Sequence, residues 1–230
     1  MANVKVKQQK DVETLNSKEA FFVKNQKTII AIVAAIIIII AGFILYRNYV
    51  ALPHEAEAST ALAKCQNLFG EQKFDEALNG DKKGCDGFLK VAADYSGTDA
   101  ANLANLYAGL CYANLEKWQE ATQYLNKYSA GDDAMISPAA MAALGNAYAH
   151  LKEYDKAVST LQKAASMADS KGADGVNNSL SPGFLMQAAD ILRSQNKKAE
   201  ALKIYQDIKA KYVNSPAAQE VDKYIEFLSE

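Results

Sequence analysis

The chain has 230 residues, of which 50% are hydrophobic and 23% charged, and its formal net charge is −2. This length and hydrophobic content suffice for a folded core. The slightly negative net charge argues against a nucleic-acid-binding protein, which needs a strongly basic surface. The charge is unevenly divided, because residues 1–27 carry six Lys against three acidic side chains, whereas residues 51–230 are net acidic. We therefore expect no nucleic acid among the partners.

The first predicted element is a transmembrane helix over residues 28–46, a stretch without any charged side chain. At about 1.5 Å per residue, its roughly 28 Å match the hydrocarbon thickness of a bilayer. The Lys residues before the span outnumber the single Arg47 close after it, which predicts a basic cytoplasmic tail at residues 1–27. Residues 47–57 are predicted to be a juxtamembrane linker.

This layout predicts a single-pass protein of the inner (cytoplasmic) membrane, with the N-terminus in the cytoplasm and the larger C-terminal part outside it. The membrane contact is then made by one helix. A cleaved signal peptide is the alternative, although the apolar run is longer than the usual core of a signal peptide.

Residues 58–230 are organised around a repeated pentapeptide. It reads WQEAT at 118–122 and YDKAV at 154–158, and weaker copies read FDEAL at 74–78 and KAEAL at 198–202. The copies begin 44, 36 and 44 residues apart, so a unit of 36 residues is twice lengthened by eight. A fixed period in this range is typical of stacked helical repeats.

Each repeat is predicted to contain two helices, because apolar residues recur at the spacing of one helix face. The two central copies share a small residue and a Tyr three positions later in the first helix, then an Ala and a Leu four positions later in the second. Small residues at these positions allow two helix backbones to approach closely. The shared residues are Gly109, Tyr112, Ala121 and Leu125 in one copy and Gly145, Tyr148, Ala157 and Leu161 in the other.

This pattern resembles the tetratricopeptide repeat (TPR) family, although Cys65 and Leu68 replace the Gly and the Tyr in the first copy. The resemblance implies an all-α fold, with a TPR-like α-solenoid of about four helix pairs over residues 58–230 and a C-terminal capping helix. An unrelated antiparallel helical bundle is the alternative.

Two insertions interrupt the predicted helices. Residues 79–87 interrupt the second helix of the first pair, and residues 169–181 separate the third pair from the fourth. Both contain Gly and other turn-forming residues. Helices are predicted at 56–69, 74–78, 88–95, 102–114, 118–129, 138–151, 154–168, 182–194, 197–212 and 216–229.

No constellation typical of an enzyme occurs in the sequence. The three Cys residues lack C-x-x-C spacing, and His54 and His150 match no metal or triad motif. We therefore expect a protein that is not an enzyme, with no catalytic residues, no cofactor and no metal. Cys65 and Cys111 are expected to be buried thiols, but Cys85 is able to pair with Cys65 in an oxidising compartment.

The predicted binding site is the concave face of the stack, which in the resembled family is lined by the first helix of each pair. Its mostly apolar character suits extended or unfolded apolar segments, although the same residues would also suit packing on neighbouring helices. The predicted groove residues are Leu103, Leu106, Leu110, Asn114, Ala142, Asn146, His150, Met186, Asp190 and Arg193.

The order of basic tail, single span and short repeat domain resembles the bacterial membrane-anchored periplasmic TPR proteins, a family that includes the ancillary subunit of the Sec translocon. The resemblance implies an accessory factor or chaperone adaptor for exported proteins. Its implied partners are translocon subunits, a periplasmic chaperone of the isomerase type and exported client chains. The alternative is a structural scaffold subunit of an envelope or secretion complex that binds one folded partner.

Overall fold

A computed structural model describes the backbone of residues 2–229 and the side chains of residues 21, 22 and 24–229. Within these limits every regular element is a helix, which confirms the prediction of an all-α protein. The chain divides into two units, Met1–His54 and Glu55–Glu230.

The N-terminal unit is helical. Helix α1 spans Ala2–Tyr46, and a π-helical turn over Arg47–Ala51 follows it. The helical stretch Lys24–Gly70 includes an 18-residue window of mean hydropathy 3.2, in which no side chain is buried. By length and composition this stretch is able to cross a bilayer, although a signal sequence near an N-terminus meets the same criteria. The predicted linker at 47–57 is helical.

The second unit contains the predicted four helix pairs. The second helix of the first pair is split by the first insertion into α3 and α4, as expected. Helices that are consecutive from α3 to α10 pack against one another, and α2 shares a core cluster with α3, α4 and α5. The paired helices are α2 (Leu52–Gly70) with α3 (Phe74–Asn79) and α4 (Phe88–Asp94), α5 (Asp99–Asn114) with α6 (Trp118–Lys127), α7 (Ile136–His150) with α8 (Tyr154–Asp169), and α9 (Ser181–Ser194) with α10 (Lys198–Lys211).

The C-terminal segment covers the last pair, as the prediction of a capping helix requires. It consists of two short helices, α11 (Pro216–Glu220) and α12 (Asp222–Ser229), where one helix was predicted. The break falls at Val221, a fully buried residue at the junction of the two helices. Helix α12 packs on α10, where the rings of Tyr205 and Tyr224 stack with their centroids 5.0 Å apart.

The turn between the two helices of each pair has the same geometry in all four pairs. One residue adopts a left-handed backbone conformation with φ between 58° and 61°. The N–H of the next residue donates to the carbonyl oxygen five positions earlier at 2.9–3.0 Å, which is the pattern of a Schellman motif. The four left-handed residues follow the same 44, 36 and 44 spacing as the pentapeptides and are Gln72, Glu116, Lys152 and Asn196.

Two glycines let the helices of the central pairs approach closely, as predicted. A Cβ atom on Gly109 would lie 2.6 Å from Cγ of Leu125, and one on Gly145 would lie 2.8 Å from Cγ of Leu161. Both leucines are buried. The repeated Gly–Leu pair therefore sets the separation between the two helices at the centre of the stack.

Buried Asp169 fixes the second insertion. Its carboxylate accepts hydrogen bonds from the Ser181 hydroxyl at 2.6 Å, the Tyr212 hydroxyl at 2.6 Å and the Asn177 N–H at 2.9 Å, and it pairs with Lys211. Burial alone would raise the pKa of Asp169, but these donors and the Lys211 ammonium hold that pKa below its ordinary value. The ionised carboxylate therefore joins the end of α8 to the start of α9 and the end of α10.

Other carboxylates cap first helices of the pairs. Glu55 on α2 accepts the N–H groups of Asp99 and Ala100 at 2.8 and 3.0 Å, at the start of α5. Asp133 accepts the first N–H groups of α7 and the hydroxyl of Ser137. Negative charge at a helix N-terminus is favourable because the exposed N–H groups and the helix dipole both attract it.

Candidate protein-binding groove

The first helices of the first three pairs enclose an apolar cavity of about 460 Å³, hereafter the α2–α5–α7 cavity. Helix α5 forms its floor, with α2 on one side and the beginning of α7 on the other. Gln66 is the one lining residue that is neither aliphatic nor aromatic. The lining residues are Gln66, Phe69, Leu103, Leu106, Tyr107, Leu110, Ile136, Ala139 and Ala140.

An aromatic cluster supports the α2 side of the cavity. The Phe69 ring meets the Tyr107 ring edge-on with the centroids 5.1 Å apart, and Tyr107 stacks on Phe88 at 5.0 Å. Phe69 and Tyr107 are half-buried and line the cavity, whereas Phe88 is fully buried behind them. Each such ring pair contributes about 0.5–1.5 kcal/mol beyond its buried area, so the wall is held in a defined shape.

Exposed apolar side chains form a lip on the α7 side. Met135 and Ile136 are 69% and 51% exposed, and Ile136 itself lines the cavity. Among the described residues of the second unit, only Val213 and Phe227 are comparably exposed large apolar residues. An apolar cavity with an apolar lip is typical of a surface that another protein covers.

Three of the predicted groove residues line this cavity, namely Leu103, Leu106 and Leu110. Leu103 and Leu110 are half-buried, whereas Leu106 is only 6% exposed and also belongs to the core of the central pairs. Asn114 lies one turn beyond Leu110, and its side-chain amide donates to the Leu110 carbonyl oxygen at 2.8 Å. The α5 part of the predicted face therefore does surround a cavity.

The predicted residues of α7 have different environments. Ala142 is 4% exposed and lies in the core cluster that contains Leu161, so its assignment to the groove is wrong because the helix turns it inwards. Asn146 is half-buried. His150 stacks on Trp118 with the centroids 3.6 Å apart, so it joins α6 to α7 and does not line the cavity.

The predicted residues of α9 are engaged within the stack. Met186 is half-buried against the core cluster that contains Leu161. Asp190 accepts hydrogen bonds from the Tyr205 hydroxyl at 2.8 Å and from Arg193 at 3.1 Å. The Arg193 guanidinium in turn lies 5.0 Å from the ring centroid of Tyr224 on α12. The capping helix therefore contacts the side chain that was expected to extend the groove.

Several lining residues were missed, and the repeat register contains a signal for some of them. Gln66 lies 44 residues before Leu110, and Ala139 lies 36 residues after Leu103, so both occupy positions equivalent to predicted ones. Phe69 has no such equivalent among the predicted residues.

Cys65 and Cys85 form a disulfide, whereas Cys111 is a buried free thiol. The expectation of a buried thiol is right for Cys111, where burial raises the pKa to about 12, and wrong for Cys65. Among the side chains that the structure describes, no group of three or more His, Cys, Asp or Glu residues is placed to hold a metal ion.

Comparison with solved structures identifies the repeat type. Two crystal structures of a putative kinesin light chain with nearly identical TPR-like repeats, from Podosopora anserina, superpose on the chain with a TM-score of 0.58. Each is 12% identical to it and covers 76% of this chain and 86% of its own. At this identity the likeness shows the fold alone, which is a TPR-like solenoid. Such repeats generally bind protein partners.

Comparison of the sequence gives a family. No curated protein matches the chain. A protein-family model does match residues 48–223, which is well over half of the chain. The chain therefore belongs to the family described as the N-terminal domain of EccA1, an ESX-1 secretion system protein of the type VII secretion system (T7SS).

Proposed function

We propose that this protein is a membrane-tethered TPR interaction protein that binds apolar segments of other proteins in the α2–α5–α7 cavity. The observation that carries the proposal is the cavity itself, whose lining is apolar except for Gln66 and whose α7 side has an exposed apolar lip at Met135 and Ile136. Covering this surface removes apolar area from water, which favours association by roughly 25 cal/mol per Å² before the entropic costs of binding.

The tether is the apolar part of α1. The side chains of Ile36–Ile40 are all at least half exposed, so a bilayer would give them the apolar environment that this unit does not. The Lys residues before the span favour a cytoplasmic N-terminus and a repeat domain on the outer side of the inner membrane. The Cys65–Cys85 disulfide supports the same placement, because disulfides persist in oxidising compartments.

In finer detail, we propose an accessory or chaperone-adaptor role for exported proteins at the Sec translocon. Its partners would be translocon subunits, a periplasmic isomerase-type chaperone and newly exported chains. The resemblance in layout supports this role, as does a cavity suited to extended apolar segments. Tethering beside a translocation site would raise the effective concentration of a client, so weak individual contacts would suffice.

A scaffold subunit of an envelope or secretion complex is the second candidate. It is favoured by the family description, which names a protein of a secretion system. The two candidates differ in what covers the cavity, since a scaffold binds one folded partner at fixed stoichiometry and an adaptor binds many unfolded clients. Chemical crosslinking in native membranes, followed by identification of the crosslinked proteins, separates these outcomes.

The cavity is tested with the full chain in lipid nanodiscs and a fluorescein-labelled peptide that has Leu and Phe at alternate positions. Leu110→Asp and Ile136→Asp should each weaken binding at least about tenfold, since an unpaired carboxylate in an apolar site costs more than ~1.4 kcal/mol. Val213→Asp is the matched control, because Val213 is 65% exposed and does not line the cavity.

A peptide with Ser in place of Leu and Phe should not bind, and circular dichroism should show unchanged helix content in all three variants. Equal binding by wild type, Leu110→Asp and Ile136→Asp would show that the cavity is not the binding site. An equal loss of binding in Val213→Asp would show an effect unrelated to the cavity.

The membrane topology is tested separately. Protease added to right-side-out vesicles should digest the repeat domain.

A further inference from the structure

The disulfide lies directly behind the aromatic wall of the α2–α5–α7 cavity. Cys65 is one helical turn before Phe69 on α2, and Cys85 is three residues before Phe88. Phe69 lines the cavity, and Phe88 stacks on Tyr107, which also lines it. The bridge therefore joins α2, which carries Phe69, to the segment that carries Phe88.

The first insertion is well ordered within itself. The Asp81 carboxylate accepts the N–H groups of Lys83 and Cys85, both at 2.9 Å, and the Asp81 N–H donates to the Cys85 carbonyl oxygen. A Cβ atom on Gly87 would lie 2.5 Å from the backbone of Asn79, so the two ends of the insertion touch. These contacts hold the insertion together and against α3, but none of them reaches α2.

The connection to α2 runs through sulfur. Among the hydrogen bonds of the described residues, the bond that joins the insertion to α2 is donated by the Gly87 N–H to Cys65 Sγ at 3.3 Å. The same N–H lies 3.3 Å from Cys85 Sγ. Without the bridge, the apolar packing of Phe88 and its neighbours is what remains to hold α4 against α2.

We propose that the Cys65–Cys85 disulfide is a redox switch that sets the affinity of the α2–α5–α7 cavity for apolar segments, a proposal that rests on the proposed function. Oxidised, the bridge holds Phe88 behind Phe69 and Tyr107, and the wall keeps its shape. Reduced, the insertion and α4 are free to separate from α2, and the binding-competent form becomes less populated. The apparent affinity falls in proportion to that population.

The co-reactant for reduction is an external dithiol, and the reverse step uses a protein disulfide as oxidant. A thiolate of the dithiol attacks Sγ of Cys85, which is 5% exposed and lines a second surface cavity, whereas Cys65 is fully buried. Cys65 leaves as a thiolate that the Gly87 N–H stabilises. The second thiol of the dithiol then attacks the mixed disulfide and releases Cys85, so two electrons and two protons pass to the two cysteines.

The experiment measures the binding of the same fluorescein-labelled Leu- and Phe-bearing peptide to the full chain in nanodiscs, before and after reduction by dithiothreitol. We expect reduction to weaken binding about tenfold, and reoxidation to restore it. The double variant Cys65→Ser, Cys85→Ser should bind like the reduced protein under both conditions. Cys111→Ala should keep the full redox response, because Cys111 is outside the bridge.

The outcomes separate this switch from the proposed function. Equal affinity of the oxidised and reduced protein would overturn the switch and leave the binding function standing. Absence of binding in both states would overturn both. A reductant effect that persists in the double variant would also overturn the switch, because it would not arise from the bridge. Circular dichroism at the assay temperature distinguishes a loosened wall from an unfolded domain.

Discussion

Substituting Ala for the two buried glycines tests how closely the helices of the central pairs must approach. A Cβ atom on Gly109 would lie 2.6 Å from Cγ and 3.0 Å from the backbone nitrogen of Leu125. One on Gly145 would lie 2.8 Å from Cγ of Leu161. At Gly109 the backbone of Leu125 is among these neighbours, so the second helix itself would have to move. At Gly145 the nearest backbone atom, the carbonyl oxygen of Ala157, would be 3.3 Å away, so most of the adjustment would fall on the Leu161 side chain.

The expected magnitude follows from two opposing effects. Overpacking a core by one methyl group typically costs about 1–3 kcal/mol, whereas replacing Gly by Ala within a helix stabilises it by about 1 kcal/mol. We therefore expect Gly109→Ala and Gly145→Ala to lower the free energy of unfolding by up to about 2 kcal/mol, with Gly109→Ala near the upper end because a backbone atom is among its close neighbours. Gly183→Ala is the matched control, since Gly183 is a helical residue with no atom within 4 Å of its would-be Cβ.

The assay is urea unfolding of the full chain in detergent micelles, followed by circular dichroism and by the fluorescence of Trp118. Trp118 is the single Trp and lies at the start of α6, so it reports on the central pairs. Gly183→Ala should be neutral or stabilising by up to about 1 kcal/mol. A stability of Gly109→Ala equal to or above that of the wild type would refute the close-approach argument.

Two further changes probe the turn and the acidic network. Lys152→Gly should raise the free energy of unfolding by about 0.5–1 kcal/mol, because Gly adopts the left-handed conformation without strain. Asn196→Gly should change it less, because Asn tolerates that conformation. Urea midpoints measure both changes, and a destabilised Lys152→Gly would contradict the reasoning. Asp169→Asn should lower the free energy of unfolding at neutral pH by about 2–3 kcal/mol, since it weakens several buried hydrogen bonds. The folded-state pKa of Asp169 is below its ordinary value of 3.8, so its stabilisation is full above that value and is lost as the pH falls through the folded-state pKa. Urea midpoints between neutral and acid pH should therefore converge for wild type and Asp169→Asn, and parallel curves would contradict this role.

The repeat architecture was predictable because its determinants are local and periodic. Each helix repeats apolar residues at helical spacing, and the pentapeptide marks the start of every second helix. Helix ends depended on longer-range contacts. Helix α5 begins at Asp99, three residues before the predicted start. The Thr98 hydroxyl accepts the Ala101 N–H, and the carboxylate of Glu55, which is far away in the sequence, accepts the first N–H groups of the helix.

The turns and the disulfide were not predictable in the same way. The left-handed residue of a Schellman turn is usually Gly and sometimes Asn, but three of the four left-handed residues here are Gln, Glu and Lys, whose identity does not predict such a turn. The spacing of Cys65 and Cys85 allowed a bridge but did not require one. Their proximity depends on how the first insertion folds back on α2, which is a tertiary property.

Part of the lining of the α2–α5–α7 cavity could be predicted from the sequence, for a physical reason. Successive first helices are related by the repeat, so positions equivalent to Leu103 and Leu110 do line the cavity. The repeat register predicts the cavity lining less well for α9, because the capping helix contacts α9 and has no equivalent in the other repeats. Arg193 was assigned to the groove, but it contacts Tyr224 of the capping helix, and the break at Val221 that shapes this segment has no clear sign in the sequence.

Site-specific photocrosslinking tests the central claim most directly. A benzophenone amino acid replaces Ala139, an exposed residue that lines the cavity, or Lys163, an exposed residue on α8 that does not. The full chain in membranes is irradiated with the labelled Leu- and Phe-bearing peptide. We expect crosslinks from position 139, their loss in Leu110→Asp, and none above background from position 163. Equal crosslinking from both positions, or crosslinking from position 163 alone, would contradict binding in the α2–α5–α7 cavity.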